Sequence, residues 1–434
     1  MAWKQSEYWG WGRALRAQGE LARPERTRTL AAVIADTPAP VIGTRRSYGD
    51  PCLNSDGRAV ETSRLDRILG FDAKSGVLDV EAGAPLGQLA EIFGPQGWLP
   101  PVMPGTGFAT VGGCIANDVH GKNHHHSGSF GQHIESLNLI TPAGPKRITP
   151  KDKLFAATVA GLGQTGAIAS ARLRMKACKG DVMVVTERRI SDWDEHLALL
   201  DNSPADYTVG WIAATARGKS LGRGILEEGE TGSGLTPVKK RSKSVPMAAP
   251  GFALSPPVVR VFNELYYRRV PKRGRTVVKP IGDFFFPLDK IHDWNRLYGK
   301  TGFHQFQCVV PLDAADALRA MMEKIAKAGV ASPLAVLKRM GAGRAGMMSF
   351  PMEGYTLAVD FPNRGKATDI IKDLVHDTGD AGGRVYLAKD SVADAQTIAA
   401  MYPERAAWAE AVAKVDPEGA FETDMTRRLK LRVV

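Results

Sequence analysis

Residues 104–123 read PGTGFATVGGCIANDVHGKN, from Pro104 to Asn123, and nearly every side chain is small. Glycine lets the backbone approach a bound group closely and turn successive N–H groups toward one point, and such nests neutralise a pyrophosphate without a metal. Two further loops share this character: Gly43-Thr44-Arg45-Arg46-Ser47-Tyr48-Gly49-Asp50, and Gly161-Leu162-Gly163-Gln164-Thr165-Gly166. A lone glycine loop is usually a plain turn; three in one stretch, two with hydroxyl residues placed to bond a cofactor, say more. No GxGxxG opens a βαβ unit in the required context and no GxxxxGK[ST] occurs, so the doubly wound and P-loop readings are set aside.

Around these loops the chain predicts short strands and helices in alternation. Residues 25–36 read as an amphipathic helix with Leu30, Val33 and Ile34 inward, 85–93 as a helix after the Pro85 turn, and 137–144 as a strand ending in a turn. Residues 153–177 give a helix, a glycine loop and a strand, which together suggest an α+β domain. After about residue 180 strands alternate with helices, notably 314–329 and 367–379, as expected of an antiparallel sheet covered by helices. The tail adds ADAQTIAAMY and WAEAVAKVDP.

The chain has 434 residues, 44% hydrophobic and 24% charged, a soluble globular profile long enough for two or three domains. No apolar run is long enough for a spanning helix, and the opening MAWKQSEYWGWGRALRAQGE has no apolar core of a signal peptide. A cytoplasmic protein is therefore expected, with peripheral contact on the inner membrane face as an extension. Cys52, Cys114, Cys178 and Cys308 lack CxxC spacing, which argues against a zinc site or disulfide framework. The net charge of +11 is concentrated: Lys239 to Lys279 holds eleven basic residues against the single acid Glu264, so this stretch carries nearly all of it. Seven prolines from Pro237 to Pro280 predict that the segment resists long regular structure. It is either a solvated loop or a mobile basic and apolar flap over a phosphate-bearing substrate or an anionic lipid surface.

The order PVIGTRRSYGD, PGTGFATVGG, HGKNHHHSGSFG, GQTGAI resembles the flavin-binding domain of the vanillyl-alcohol oxidase superfamily, and within it the decaprenylphosphoryl-ribose 2′-oxidase family. The likeness continues through DWNRLYGKTGFHQFQCVVP, LKRMG, SFPMEGYTLAVDFP and GGRVYLAKDS to KVDPEGAFETDMTRRL, so it covers nearly the whole chain. It implies a two-domain α+β flavoprotein: an FAD-binding domain at 1–180, a substrate domain of antiparallel sheet and helices at 181–383 that includes the basic segment 236–280, and a C-terminal segment, 384–434, completing the FAD domain. It also implies oxidation of the 2′-hydroxyl of a polyprenyl-phosphoryl pentose to the keto sugar, the first half of an epimerisation in cell-envelope biosynthesis. A short-chain reductase partner would complete that epimerisation.

On this resemblance FAD would be held by Gly43, Thr44, Arg45, Arg46, Ser47, Tyr48, Gly105, Thr106, Gly112, Gly113, Ala116, Asn117, Gly166, Ile168, Tyr386 and Lys389. His120 is a natural proton acceptor because its unperturbed pKa lies near neutrality. Lys389, in YLAKDS, matches the family's essential lysine, a cation beside the flavin that would stabilise the charge of its reduced form. Lys122 and Lys338 match substrate-pocket lysines for sugar oxygens or phosphate. Gln305 and Gln307 alternate on a strand and so face one side, suited with Tyr298, Tyr386 and Thr356 to the sugar. Two positions depart from the family. Ala358 stands where many relatives have an inhibitor-trapping cysteine, so covalent capture should fail, and Thr356 replaces asparagine. The first glycine loop has no histidine for covalent attachment, so FAD is expected to be dissociable. The run His124-His125-His126 has no carboxylate at ligand spacing and reads as a loop, without metal.

Two other functions compete. One is a soluble sugar, polyol or aldonolactone oxidase of the same superfamily. The other is an anionic-surface or nucleic-acid binding protein, ranked last because few aromatics accompany the charge and no RNA-binding motif occurs.

Overall fold

In the computed structural model, which describes residues 3–234 and 242–433, three sheets surround one long cavity. The first, in spatial order Lys4–Trp9, Arg16–Ala22, Arg58–Glu61, Val41–Ile42, is antiparallel in its first pair and parallel thereafter. The second is antiparallel throughout: Ile68–Asp72, Val77–Glu81, Ala167–Arg174, Ile134–Thr141, Gly144–Ile148. The helix Thr27–Asp36 joins them, burying Leu30, Val33 and Ile34 against Val60 of the first sheet and Ile140, Ala167 and Ala169 of the second.

The third sheet has eight antiparallel strands in the order Arg275–Pro280, Val182–Ile190, Gly224–Gly232, Tyr207–Ile212, Ala335–Met340, Gly354–Pro362, Phe303–Val310, Arg384–Val385. Its two faces are separated by the period of two along each strand. Phe306, Cys308 and Val310 enter the largest hydrophobic core, together with Leu337, Leu357, Val359, Ile212 and Leu226. Their alternates, Gln305, Gln307, Val336, Lys338, Thr356, Ala358, Val209, Trp211, Ile225 and Glu227, line the cavity.

Two long helices cover the core face because their apolar residues recur at helical spacing. Ala315–Ala328 buries Leu318, Met321, Met322, Ile325 and Ala326 and stops at Gly329, whose φ of 67° supplies a left-handed cap. Ala367–Asp380 buries Ile371, Leu374, Val375 and Thr378.

The chain after Arg384 returns to the first half. Trp408 is buried and donates its indole N–H to the Ala157 carbonyl at 3.1 Å, and Gln164 donates to the Phe421 carbonyl at 2.6 Å. Arg428 bridges Asp50 and Asp390 at 2.8 and 2.9 Å. No helix among the described residues is long and apolar enough to cross a membrane.

The basic segment differs from its sequence reading. Pro256–Arg268 is a thirteen-residue helix, and Arg275–Pro280 is the edge strand of the large sheet. Pro256 and Pro257 occupy the first helical turn, where a missing N–H costs nothing and φ is already suitable, so they start the helix they were expected to prevent. Its charge is also partly spent: Arg269, Arg275 and Lys279 pair with Glu187, and Arg269 and Lys279 also with Glu227, acids contributed by other strands of the sheet. The reading of Lys239, Lys240 and Arg241 lies outside the described residues.

Candidate active site

The cavity has a volume of about 430 Å³ and runs from the glycine loops to the polar face of the large sheet. That size is in the range of enclosed ligand sites. Every residue named from the sequence for cofactor binding lines it, as do His120, Lys122, Gln305, Gln307, Lys338 and Thr356.

The loop after Val41–Ile42 is shaped by close packing. A Cβ on Gly43 would lie 2.5 Å from the Thr110 hydroxyl, and a Cβ on Gly49 would overlap the Asp390 carbonyl at 1.8 Å. Thr44 donates to the Phe108 carbonyl at 2.5 Å. The Arg46 guanidinium lies between Trp11 and Phe108, 4.1 and 4.4 Å from their ring centroids, a cation–π clamp whose burial lowers its pKa. The 104–123 stretch folds as a loop leading into the short helix Val111–Ala116, whose first turn is capped by Thr110 accepting from Gly113 N at 3.2 Å. Asp289 fixes the loop's start by accepting from Gly107 N at 2.7 Å and Thr106 Oγ1 at 3.1 Å.

Asp118 braces the next turn, accepting from Gly131 N at 2.8 Å, Ala345 N at 3.1 Å and Ser349 Oγ at 2.5 Å. Two residues on, His120 packs against the stacked pair Phe350 and Tyr386, with centroids 5.3 and 5.2 Å away. Gln307 Nε2 donates to His120 Nε2 at 2.9 Å and to Thr356 Oγ1 at 3.3 Å. Burial first, and then the neighbouring charges of Lys338, His124 and Lys389, push the His120 pKa well below its ordinary value. The imidazole is neutral at pH 7, with its lone pair on Nε2.

Three lysines converge on the same space. They are reachable through the cavity but enclosed by protein, and desolvation lowers Lys338 and Lys389 to about 7 and Lys122 to about 8. Lys389 Nζ sits 3.5 Å from the Tyr48 ring centroid. Lys122 Nζ donates to the Phe284 carbonyl and lies 4.0 Å from that ring's centroid. Lys338 has no ion-pair partner among the described residues. Such a cluster is relieved by an anion, which restores the ammonium charges.

Tyr298 is the exception among the named residues. Its hydroxyl is committed to Asp360 at 3.0 Å and Ser332 at 2.9 Å, its ring stacks on Phe303 at 4.0 Å, and it is absent from the cavity lining. Asp360, which sequence reading did not single out, accepts from Gln305 Nε2 at 2.5 Å and is pushed up to about 7 by burial. Alternation from Thr356 through Ala358 would have placed it on the cavity-facing side of its strand. Trp211 and Glu227 were found neither by motif nor by resemblance, yet line the cavity for the same reason of period. The histidine run, expected as a loop, is the short helix His124–Ser127: His124 Nδ1 accepts from Gly341 N at 3.2 Å and the His125 ring bonds to the Ala205 carbonyl at 3.2 Å, while the His125 and His126 ring centroids lie 4.2 Å apart.

The residues present fit FAD. Arg46 Nε and Asn117 Oδ1 are buried in the cavity wall without partners among the described residues, beside glycine loops that admit a close ligand. The Gly43–Tyr48 loop, Gly105–Thr106, Gly112–Gly113, Ala116–Asn117 and Gly166–Ile168 would hold it, with Tyr386 and Lys389 at the sheet end.

Comparison with known proteins agrees. Residues 21–148 match the family described as FAD binding domain. Decaprenylphosphoryl-beta-D-ribose oxidase of Mycolicibacterium smegmatis is 36% identical over 409 residues, 90% of this chain and 88% of that one. An uncharacterized protein of the mprA 5′ region of Streptomyces coelicolor is 31% identical over 80% of this chain and all of its own length. D-lactate dehydrogenase of Anaerostipes hadrus is 31% identical over only 20% of this chain and 18% of its own.

Proposed function

Because the chain belongs to the decaprenylphosphoryl-β-D-ribose oxidase family and is an FAD-dependent oxidoreductase of the vanillyl-alcohol oxidase fold, we propose that it oxidises the 2′-hydroxyl of a polyprenyl-phosphoryl pentose. The observation that carries this is the convergence of Lys122, Lys338 and Lys389 with the His120–Gln307 pair on one wall of a cavity whose other end is the glycine loops. A phosphate needs the former and a sugar hydroxyl the latter.

FAD, when bound, supplies the hydride acceptor. The rest falls to side chains. Lys122 and Lys338 bind the phosphate and regain full charge on doing so. A sugar hydroxyl replaces the Gln307 amide as donor to His120 Nε2, and the hydroxyl proton ends on that nitrogen as the carbon-bound hydrogen leaves as hydride. Gln307, still anchored to Thr356, and Gln305, anchored to Asp360, orient the ring. Lys389 offers positive charge where negative charge develops, a preorganised cation in an enclosed site. The keto sugar is the substrate for a separate short-chain reductase, which would complete the epimerisation.

The test is anaerobic mixing of the FAD-loaded protein with a detergent-dispersed polyprenyl-phosphoryl ribose. The oxidised flavin band should bleach, and a Lys389→Ala variant that retains its flavin should bleach slower by about 10²–10³. A spectrum that stays oxidised in the wild type refutes the assignment, and bleaching by free polyols alone favours a soluble polyol oxidase. Acid precipitation of the same sample should release the flavin to the supernatant, because the Gly43–Asp50 loop holds no histidine for attachment.

A further inference from the structure

The helix Pro256–Arg268 turns one flank into the fold and an adjacent apolar flank outward, the two meeting where Phe262 stacks on Tyr266 with centroids 5.8 Å apart. The inner one buries Val259 and Asn263 and lays Tyr266 on Trp211, ring centroids 4.7 Å apart, as part of the cavity wall. The outer one presents Val258, Val261, Phe262 and Leu265, which are 44%, 60%, 47% and 68% exposed. Their spacing of i, i+3, i+4, i+7 is that of a stripe meant for burial. The preceding turn Gly251–Leu254, fastened by Arg364 donating to the Gly251 and Leu254 carbonyls, adds Phe252, 71% exposed. Six of the fourteen exposed large apolar side chains among the described residues fall between Met247 and Leu265. This concentration is a contiguous feature of one segment, unlike the scattered singles of an ordinary surface.

The charge around the stripe is of one sign. Glu264, the helix's only acid, is tied to Arg223 and Arg268 at 2.8 and 2.5 Å. Lys243, Arg260, Lys272 and Arg273 are exposed and take part in none of the ion pairs among the described residues. An apolar stripe flanked by unpaired cations is complementary to a bilayer interface with anionic headgroups. A second copy of this chain would cover the apolar stripe but bring the same four cations against themselves.

We propose that this face seats the protein on an anionic lipid surface, with Phe252, Val261, Phe262 and Leu265 entering the interface. The proposal rests on the lipid-phosphate substrate reading and deepens it. A polyprenyl tail resides in the bilayer, and the helix lying on that bilayer reaches the cavity wall through Tyr266, which stacks on Phe262 of the exposed stripe.

The experiment is flotation of the FAD-loaded protein with phosphatidylcholine vesicles containing about 30% phosphatidylglycerol, beside pure phosphatidylcholine vesicles. Wild type should float with the anionic vesicles only, and high salt should release it. Phe262→Asp/Leu265→Asp and, separately, Lys272→Glu/Arg273→Glu should each lower the bound fraction about tenfold or more with flavin content unchanged. Leu69→Asp, at a side chain 55% exposed on another sheet, should bind as wild type does. Failure of the wild type to float, or wild-type binding by Phe262→Asp/Leu265→Asp, overturns the proposal. So does a wild-type dimer that this variant converts to monomer without loss of vesicle binding. Flavin reduction by detergent-dispersed substrate is measured on the same preparations. Intact reduction without flotation sinks the docking face alone, and flotation without reduction sinks the assigned activity alone.

Discussion

Asp360 is a buried acid with two hydroxyl or amide donors and one distant cation. It accepts from Tyr298 and Gln305, and its charge is the one that raises the Lys389 pKa against the burial that lowers it. It touches no reacting atom and acts as a positioning residue. Asp360→Asn keeps an oxygen for the Gln305 amide and turns an N–H to the Tyr298 hydroxyl, which accepts it and donates to Ser332 instead, so the stability loss is held to about 1 kcal/mol. It also removes the opposing charge, so Lys389 deprotonates at lower pH than about 7. The expected readout is a flavin-reduction profile whose decline with rising pH begins earlier in the variant, with a smaller difference at pH 6 than at pH 8. Profiles of the same shape would count against the role. How much of the site was legible in the sequence is plain at this scale. His120, Lys122, Lys338 and Lys389 were reached through motifs, and the cavity gathers them. Tyr298 was named by residue type alone, and type does not say that its hydroxyl is already taken by Asp360.

At the scale of elements, helix periodicity was readable where one face is buried. The 314–329 and 367–379 readings meet helices at Ala315–Ala328 and Ala367–Asp380, because Leu318, Met322 and Ile325, or Ile371, Leu374 and Val375, define a single stripe. Leu374 is fully buried between its helix and the large sheet. Leu374→Ala should cost about 2–5 kcal/mol, seen as a lower urea midpoint with unchanged m-value. The flavin content of the remaining folded protein should be unaffected, since the cavity lies on the opposite face of that sheet. Pro256–Arg268 was not readable in the same way. Proline signals both a break and a first turn, and only the position of Ser255 before it as cap, with Val259 and Asn263 buried after it, settles which. Charge counted along the chain misled for a related reason: Glu187 and Glu227 lie far from the basic segment in sequence and beside it in the sheet.

For the whole molecule, the lysine cluster makes the cofactor-free protein pH-sensitive. Lys338, Lys389 and Lys122 have folded pKa values of about 7, 7 and 8 against 10.5 for an ordinary lysine. Between those values the unfolded chain binds more protons than the folded one, so stability rises with pH, and the penalty is full below about 7. Thermal unfolding of the apoprotein should therefore shift upward from pH 7 to pH 9, and phosphate-bearing ligands should flatten that slope by recharging the lysines. An apoprotein equally stable across this window would show that the cluster is not desolvated. The joining of the two ends of the chain has a different kind of consequence, in the order of synthesis. The Gly43–Asp50 loop is made early, but the Asp390 carbonyl that packs on Gly49, the Arg428 that holds Asp50 and Lys389 itself arrive only with the last segment. At about 5–20 residues per second, a nascent chain carries the glycine loops throughout the synthesis of the intervening residues with this wall missing. Ribosome-bound fragments and products terminated before residue 389 thus lack the ammonium set against Tyr48, and this wall of the cavity closes only after residues 384–434 have been made.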